Sequence, residues 1–198
     1  MDEIHYTTER NTCVPLDNPE KVTQPALSFV QIIDNFLDKN ELEIIIKFIN
    51  DKKMNYGHTS GYRETINNKF FSYQIEDSYF NIYLKKKIEN TFLKKLKMNR
   101  NYMHVQTFGL DGGYHTDSEI PNSFTFCLYI TDISDDLIEH ASGDFLLKIP
   151  NEKFIMSIDT NMNRGIFFPS SWLHKGLAYN NLYSNKRLCI TWKLEEIL

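Results

Sequence analysis

The sequence predicts an α+β protein in which two early helices cover an antiparallel β-sandwich or barrel. Three observations carry this reading. Apolar residues recur at helical spacing in two segments before residue 100. Short β-rich runs separated by turns fill the chain after it. Two of those runs alternate between a greasy face and a mixed one. Helices first and strands afterwards is the order that lets the helices close one face of a sheet.

Residues 1–25 are polar, carry Pro15, Pro19 and Pro25, and show no periodicity. They read as an N-terminal extension, which leaves 26–198 as the domain. A strand is expected over 28–33, ended by Asp34 and Asn35. The first helix is expected at about 38–51, with Asp38 or Asn40 as cap and Leu42, Ile45, Ile46 and Ile49 on one face. The stretch 57–61 reads as a loop. The second helix is expected at about 77–97, because Phe80, Leu84, Ile88, Phe92 and Leu96 step by four. The lysines between them read as a solvated face rather than an anion-binding one.

The β-core is expected at about 102–192, with strands over 102–108, 124–131, 144–149, 154–158, 165–168 and 187–192. Successive side chains on a strand point to opposite sides. Phe124, Phe126, Leu128 and Ile130 therefore share a greasy face, and Thr125, Cys127 and Tyr129 the other. Likewise Leu188, Ile190 and Trp192 oppose Arg187, Cys189 and Thr191. The mixed faces, with Tyr129 and Arg187 on them, suit the lining of a cavity.

Composition narrows the function classes. A chain of 198 residues, 41% hydrophobic and 14% aromatic, can bury one sizeable core. Its formal charge of −4 disfavours a protein that lives on phosphate contacts. Cys13, Cys127 and Cys189 form no CxxC pair, which argues against a disulfide framework or a zinc site. Neither a signal-peptide pattern nor a membrane-length apolar run is present, so a cytoplasmic protein without membrane association is expected.

The chemistry-bearing motif is Gly112-Gly113-Tyr114-His115-Thr116-Asp117. On extended backbone, His115 and Asp117 lie on one side and can reach one ion. About 0.4 His-x-Asp pairs are expected by chance in a chain with this many histidines and aspartates, so the pair alone is weak. A late histidine, His174, follows a strand and turn. Arg187 opens the next strand, where it can hold a carboxylate through a bidentate pair. Two histidines and a carboxylate with open positions is the facial triad of non-haem Fe(II) oxygenases.

These residues resemble the 2-oxoglutarate/Fe(II) dioxygenase superfamily, most closely its prolyl 4-hydroxylase-like branch. Phe29 to Leu37 is similar to the strand that opens such domains. Thr125 to Asp132 is similar to the family's Thr-x-x-x-Tyr-Leu-Asn strand, and Ser142-Gly143-Asp144-Phe145 stands where the family has Gly-Gly and a short strand. The resemblance implies a double-stranded β-helix, or jelly roll, with the N-terminal helices on one sheet. It implies His115, Asp117 and His174 as catalytic iron ligands, and Arg187, Tyr129 and Thr125 as cosubstrate-binding residues. The implied cofactors are Fe(II), 2-oxoglutarate and O2, with ascorbate as an optional addition. The implied reaction is hydroxylation of a C–H bond with release of succinate and CO2, on a prolyl residue of a peptide or protein. Asp144 replaces a usual glycine, and residues 178–185 lengthen the gap between His174 and Arg187 as a hairpin loop. Residues 57–73 are expected to cover the substrate.

Two other readings stay open: an oxygenase acting on a small molecule or nucleic-acid base, and a non-catalytic jelly-roll binding module. Base-repair relatives carry a second arginine six residues after the first, where this chain has Lys193. Cupin-type modules carry His-x-His, which is absent. His5, His58, His104 and His140 read as ordinary surface or core histidines, and Cys127 and Cys189 as small apolar fillers. The sequence leaves oligomeric state open.

Overall fold

The computed structural model describes residues 29–59, 69–131, 133, 135–183 and 185–197. The expected extension over 1–25 lies outside them, as does most of the expected loop over 57–73.

Asp38 starts the first helix, α1 (Lys39–Asn50). Its carboxylate accepts from the Glu41 amide at 2.9 Å, while Glu41 Oε2 accepts from the Asp38 amide at 2.8 Å. This reciprocal capping box satisfies two of the donors a helix N-terminus leaves unpaired. Ile45 is fully buried, and Leu42, Ile46 and Ile49 pack against the same core.

The second helix departs from expectation. It begins as a π-helical turn (Tyr79–Leu84), continues as α2 (Lys85–Phe92), and stops at Leu93 in the left-handed region, with φ 53°. Leu96, expected as the helix's last apolar step, instead opens a strand. The side chain of Glu89 turns back to accept from the Leu96 amide at 2.8 Å, and the Glu89 carbonyl accepts from the Lys94 amide. Phe92 to Leu96 is four residues on a helix, but both are buried just as well across the turn, so periodicity alone could not locate the end.

Among the described residues ten strands form two sheets. The large sheet contains β1 (Gln31–Ile33), β2 (Asn55–His58), β3 (Phe70–Gln74), β4 (Leu96–Gln106), β5 (Ser123–Tyr129), β8 (Gly165–Pro169) and β10 (Arg187–Glu196). Its order is β1-β8-β5-β10-β4-β3-β2. The small sheet contains β6 (Phe145–Lys148), β7 (Ile155–Ile158) and β9 (His174–Gly176), ordered β7-β6-β9. All pairings are antiparallel. A short helix, α3 (Asp135–Ala141), precedes β6.

Two faces of the large sheet divide the core as the alternation predicts. Phe126, Leu128, Leu188, Ile190, Trp192, Met103 and Val105 meet the helices, with the Trp192 indole N–H donating to the Phe80 carbonyl at 3.2 Å. On the opposite face Cys127, Tyr129, Cys189, Ile166 and Phe168 meet Phe145, Leu147 and Ile158 of the small sheet. This is a jelly-roll sandwich with helices on one sheet.

Three expectations need correction. β4 begins six residues earlier than the strand expected over 102–108, and β10 runs to Glu196. The stretch at Gly57, expected as loop, lies in β2, which pairs with β3. Residues 178–185 do not form a hairpin loop: β9 and β10 belong to different sheets, so the chain crosses between them. Tyr179 bridges Ser142 on the way and is fully buried. Both flanking runs are β-rich, and sheet membership is not local information.

Candidate metal and cosubstrate site

The segment before β5 lies alongside β9. Gly112 N–H donates to the Gly176 carbonyl, His115 and His174 exchange both backbone hydrogen bonds at 3.0 and 3.1 Å, and the Asp117 amide donates to the Ser170 carbonyl. A doubly bonded antiparallel pair sets two side chains next to each other on one face. The two imidazoles therefore sit with ring centroids 4.4 Å apart.

Asp117, two residues on, comes to the same side. Its Oδ1 is 3.4 Å from His115 Nε2, and its Oδ2 is 3.3 Å from His174 Nε2. One potential ligand atom from each of the three residues lies within 4.8 Å of the others, as a single ion requires. Each histidine Nδ1 faces a backbone carbonyl: Gly113 O at 2.9 Å for His115, Trp172 O at 2.8 Å for His174. A carbonyl only accepts, so Nδ1 carries the proton and Nε2 is left with its lone pair toward Asp117. Burial also lowers the pKa of His174, which opposes its charging even beside Asp117. Burial works against ionisation of Asp117, but Lys193 and the two histidines outweigh it and hold its carboxyl well below the ordinary range. Neutral imidazoles and an ionised carboxylate form the donor set a divalent metal takes.

Thr125 from β5 reaches this cluster as well. Its hydroxyl donates to Asp117 Oδ2 at 2.6 Å and so orients the carboxylate. The Lys193 ammonium also contacts Asp117 Oδ2. No motif in the sequence marks Lys193 as a site residue. Its even spacing from Arg187 along β10 was the available signal that both face the site.

Arg187 lies at the other end of the same face and is 1% exposed. Its Nε donates to the Gly143 carbonyl at 2.6 Å, its Nη1 to Gln106 Oε1 at 2.6 Å, and its Cζ stands 4.9 Å over the Tyr129 ring. All three partners are uncharged. Among the described residues, no carboxylate neutralises this buried guanidinium, an expensive state unless an anion completes it. Gly143 has φ +92°, and a Cβ there would strike the Tyr179 ring at 2.3 Å, so glycine is what lets this carbonyl reach Arg187. Gln106 was not singled out from sequence, although alternation along β4 puts it in line with His104 and Tyr102.

A cavity connects the two ends. Arg187, Tyr129, Gln106, His104, His115 and His174 all line it. His104 Nδ1 is buried there without a partner. A more voluminous cavity, about 630 Å³, lies on the helix side between α1 and the strands, and no histidine, cysteine or carboxylate is among the described residues that line it. Chemistry, not size, marks the site.

No protein-family model matches the sequence, and no curated protein does. Solved structures do match. A 2OG-Fe(II) oxygenase family oxidoreductase from Burkholderia pseudomallei superposes with TM-score 0.68 at 12% identity, over 87% of each chain. The fold is that of the 2-oxoglutarate/Fe(II) oxygenases. A Trichoplax adhaerens prolyl hydroxylase, in complex with a hypoxia inducible factor oxygen degradation domain peptide fragment, superposes with TM-score 0.63 at 17% identity, over 87% of this chain and 86% of that one. HygX from Streptomyces hygroscopicus, with nickel, 2-oxoglutarate and hygromycin B bound, superposes with TM-score 0.61 at 8% identity, over 84% and 82%. This oxygenase fold thus serves proteins bound to a peptide and to a small molecule alike. Among the described residues no helix is long and apolar enough to cross a membrane.

Proposed function

We propose that the chain is an Fe(II)- and 2-oxoglutarate-dependent dioxygenase that hydroxylates a C–H bond of its substrate. The observation that carries this reading is the uncompensated Arg187 guanidinium, buried at one end of a cavity whose other end is the His115, Asp117 and His174 cluster. A metal-binding module alone has no use for a buried cation there. A dicarboxylate that ligates the metal at one end needs one.

In this reading His115, Asp117 and His174 hold Fe(II), with Nε2 of each imidazole and a carboxylate oxygen as donors. Thr125 fixes the Asp117 rotamer, which leaves the histidines free to be held by their Nδ1 bonds to Gly113 and Trp172. Arg187 pairs with the distal carboxylate of 2-oxoglutarate, and Tyr129 buttresses the guanidinium from its ring face. Iron with 2-oxoglutarate and O2 supplies the oxidation itself, leaving succinate, CO2 and a hydroxylated product. The apolar walls from Phe145, Phe168 and Cys127 keep water from the reacting centre.

For the substrate we propose a prolyl residue in a peptide or protein, acted on in the cytoplasm. The prolyl hydroxylase likeness and the sequence resemblance support it. The hygromycin-bound neighbour supports a small molecule as the second reading. Anaerobic addition of Fe(II) and then 2-oxoglutarate tests the cosubstrate site: a weak visible charge-transfer band is expected only with both present. His174→Ala is expected to abolish the band and succinate release, and wild-type turnover by that variant would sink the ligand assignment.

A further inference from the structure

A second cavity, about 350 Å³, lies on the outer side of Asp117. It shares Tyr102, His115 and Lys193 with the inner cavity, so a molecule filling it meets the metal-ligand cluster directly. Its volume falls in the usual range for ligand sites of about 300–1,000 Å³. On the reading above, this is where the group to be oxidised would enter.

The charges around it are unequal. Among the described residues Asp117 is the only carboxylate in its lining, and it is already engaged by Lys193, Thr125 and the two histidines. The lining cations are Lys193, matched to Asp117, and Arg100, matched to nothing charged. The Arg100 guanidinium lies 4.4 Å over the Tyr102 ring, and its Nε donates to the neutral Gln74 Oε1 at 3.1 Å. No carboxylate pairs with it among the described residues. Glu195 on the neighbouring strand is taken by Lys97 and Asn99. His58 completes the rim. Its pKa is lowered, first by burial and then by the positive charges of Arg100 and Lys193.

From this geometry we infer that the substrate carries a carboxylate close to the carbon that is oxidised, and that Arg100 receives it. The stacked guanidinium is pre-oriented by Tyr102 and presents its remaining N–H groups as a fork suited to a carboxylate. The substrate class is an acidic peptide. Nucleic acid would need a track of unmatched cations, whereas the described residues of the rim supply one, on a chain of net charge −4. This inference rests on the oxygenase reading.

The test uses enzyme loaded with Fe(II) and 2-oxoglutarate and three matched pools of capped hexapeptides, bearing Asp or Glu, Asn or Gln, and Lys. A single-stranded oligonucleotide and small dicarboxylic acids serve as further arms. Succinate and a one-oxygen mass gain are read together. The acidic pool is expected to exceed the amide pool by about tenfold in kcat/KM, the worth of one charge-assisted bond. R100Q should flatten the preference, and R100E should turn it toward the lysine pool. Arg100 is exposed at the strand surface, and R100Q keeps the readout available if R100E does not fold. Equal use of the acidic and amide pools, use of the oligonucleotide or the small acids alone, or no peptide oxidised would each overturn the inference. Wild-type succinate release without any peptide reports the oxygenase reading separately. Its loss would count against that reading, not against Arg100 alone.

Discussion

Arg187 and Gln106 are directly paired across β10 and β4, and the arginine Nη1 donates to the Gln106 side-chain oxygen Oε1 at 2.6 Å. Gln106 Nε2 in turn donates to the carbonyls of Leu110 at 2.8 Å and Gly176 at 3.1 Å. The glutamine thus ties the guanidinium to the segment leading into His115 and to the strand carrying His174. Both ends of a bound 2-oxoglutarate would be referenced to one amide.

The first prediction concerns the charge. Arg187→Gln removes the buried cation that, on the proposed reading, meets the distal carboxylate of 2-oxoglutarate. A hydrogen bond to a charged group is worth about 1.5–3 kcal/mol, so KM for 2-oxoglutarate should rise at least tenfold. Steady-state succinate release against 2-oxoglutarate concentration measures it. An unchanged KM would mean that the carboxylate binds elsewhere.

Gly176 gives a second, subtler handle on the same group. A Cβ there would lie 2.7 Å from Arg187 Nη1 and 2.9 Å from Nη2. The guanidinium is pinned by Gly143 and Gln106 and cannot swing away freely. Gly176→Ala should therefore raise KM for 2-oxoglutarate while leaving metal affinity near wild type. Titration with Mn(II) as an oxygen-stable metal separates the two effects.

Thr125 offers the converse separation. Its hydroxyl holds Asp117 Oδ2 at 2.6 Å, and losing a partner of this kind costs about 10–100-fold in metal affinity or activity. Thr125→Val, which keeps the shape, should weaken Mn(II) binding by about tenfold with KM for 2-oxoglutarate little changed. A variant that instead lost 2-oxoglutarate affinity would support the cosubstrate role for Thr125 that the family resemblance implies.

These contrasts show which parts of the molecule were legible in the sequence. Period-two alternation sorted β5 and β10 correctly, because each strand has one face on helices and one on the small sheet. His115, Asp117 and Arg187 fell out of local patterns. Gln106 and the contact of Lys193 with Asp117 did not, since each acts through a residue more than 50 positions away, and Gly176 did not because it meets Arg187 across from the other sheet. The crossing between β9 and β10 was missed for the same reason: its flanks look alike locally and differ only in which sheet they join.

Glu41 links the first helix to the second and carries a pH prediction. It accepts from the Asp38 amide, from the Tyr83 hydroxyl at 2.8 Å and from Lys87. Burial raises its pKa, but these three donors outweigh burial and leave it lowered. A carboxylate with a lowered folded-state pKa adds stability above its unfolded value of about 4.5, and loses it as pH falls through the folded value. Glu41→Gln keeps the capping reach and removes the charge. It should cost about 1–2 kcal/mol at pH 7, shrinking below pH 4, in urea unfolding followed by circular dichroism. A pH-independent difference would assign the loss to packing.

The turn that ended α2 early supplies the last prediction. Leu93 holds φ 53° and is 90% exposed, so its side chain gains almost nothing from the fold. The left-handed region costs a non-glycine residue about 1–2 kcal/mol, while glycine loses about 0.5–1 kcal/mol more backbone entropy on folding. The difference favours glycine by about 0.5–1 kcal/mol. Leu93→Gly should therefore raise the urea midpoint without changing the slope of the transition. Leu93→Ala, which keeps a Cβ in the same conformation, should not. Equal stabilisation by both variants would trace the effect to the exposed leucine side chain rather than to the backbone, and the α2-to-β4 turn would then carry no strain to relieve.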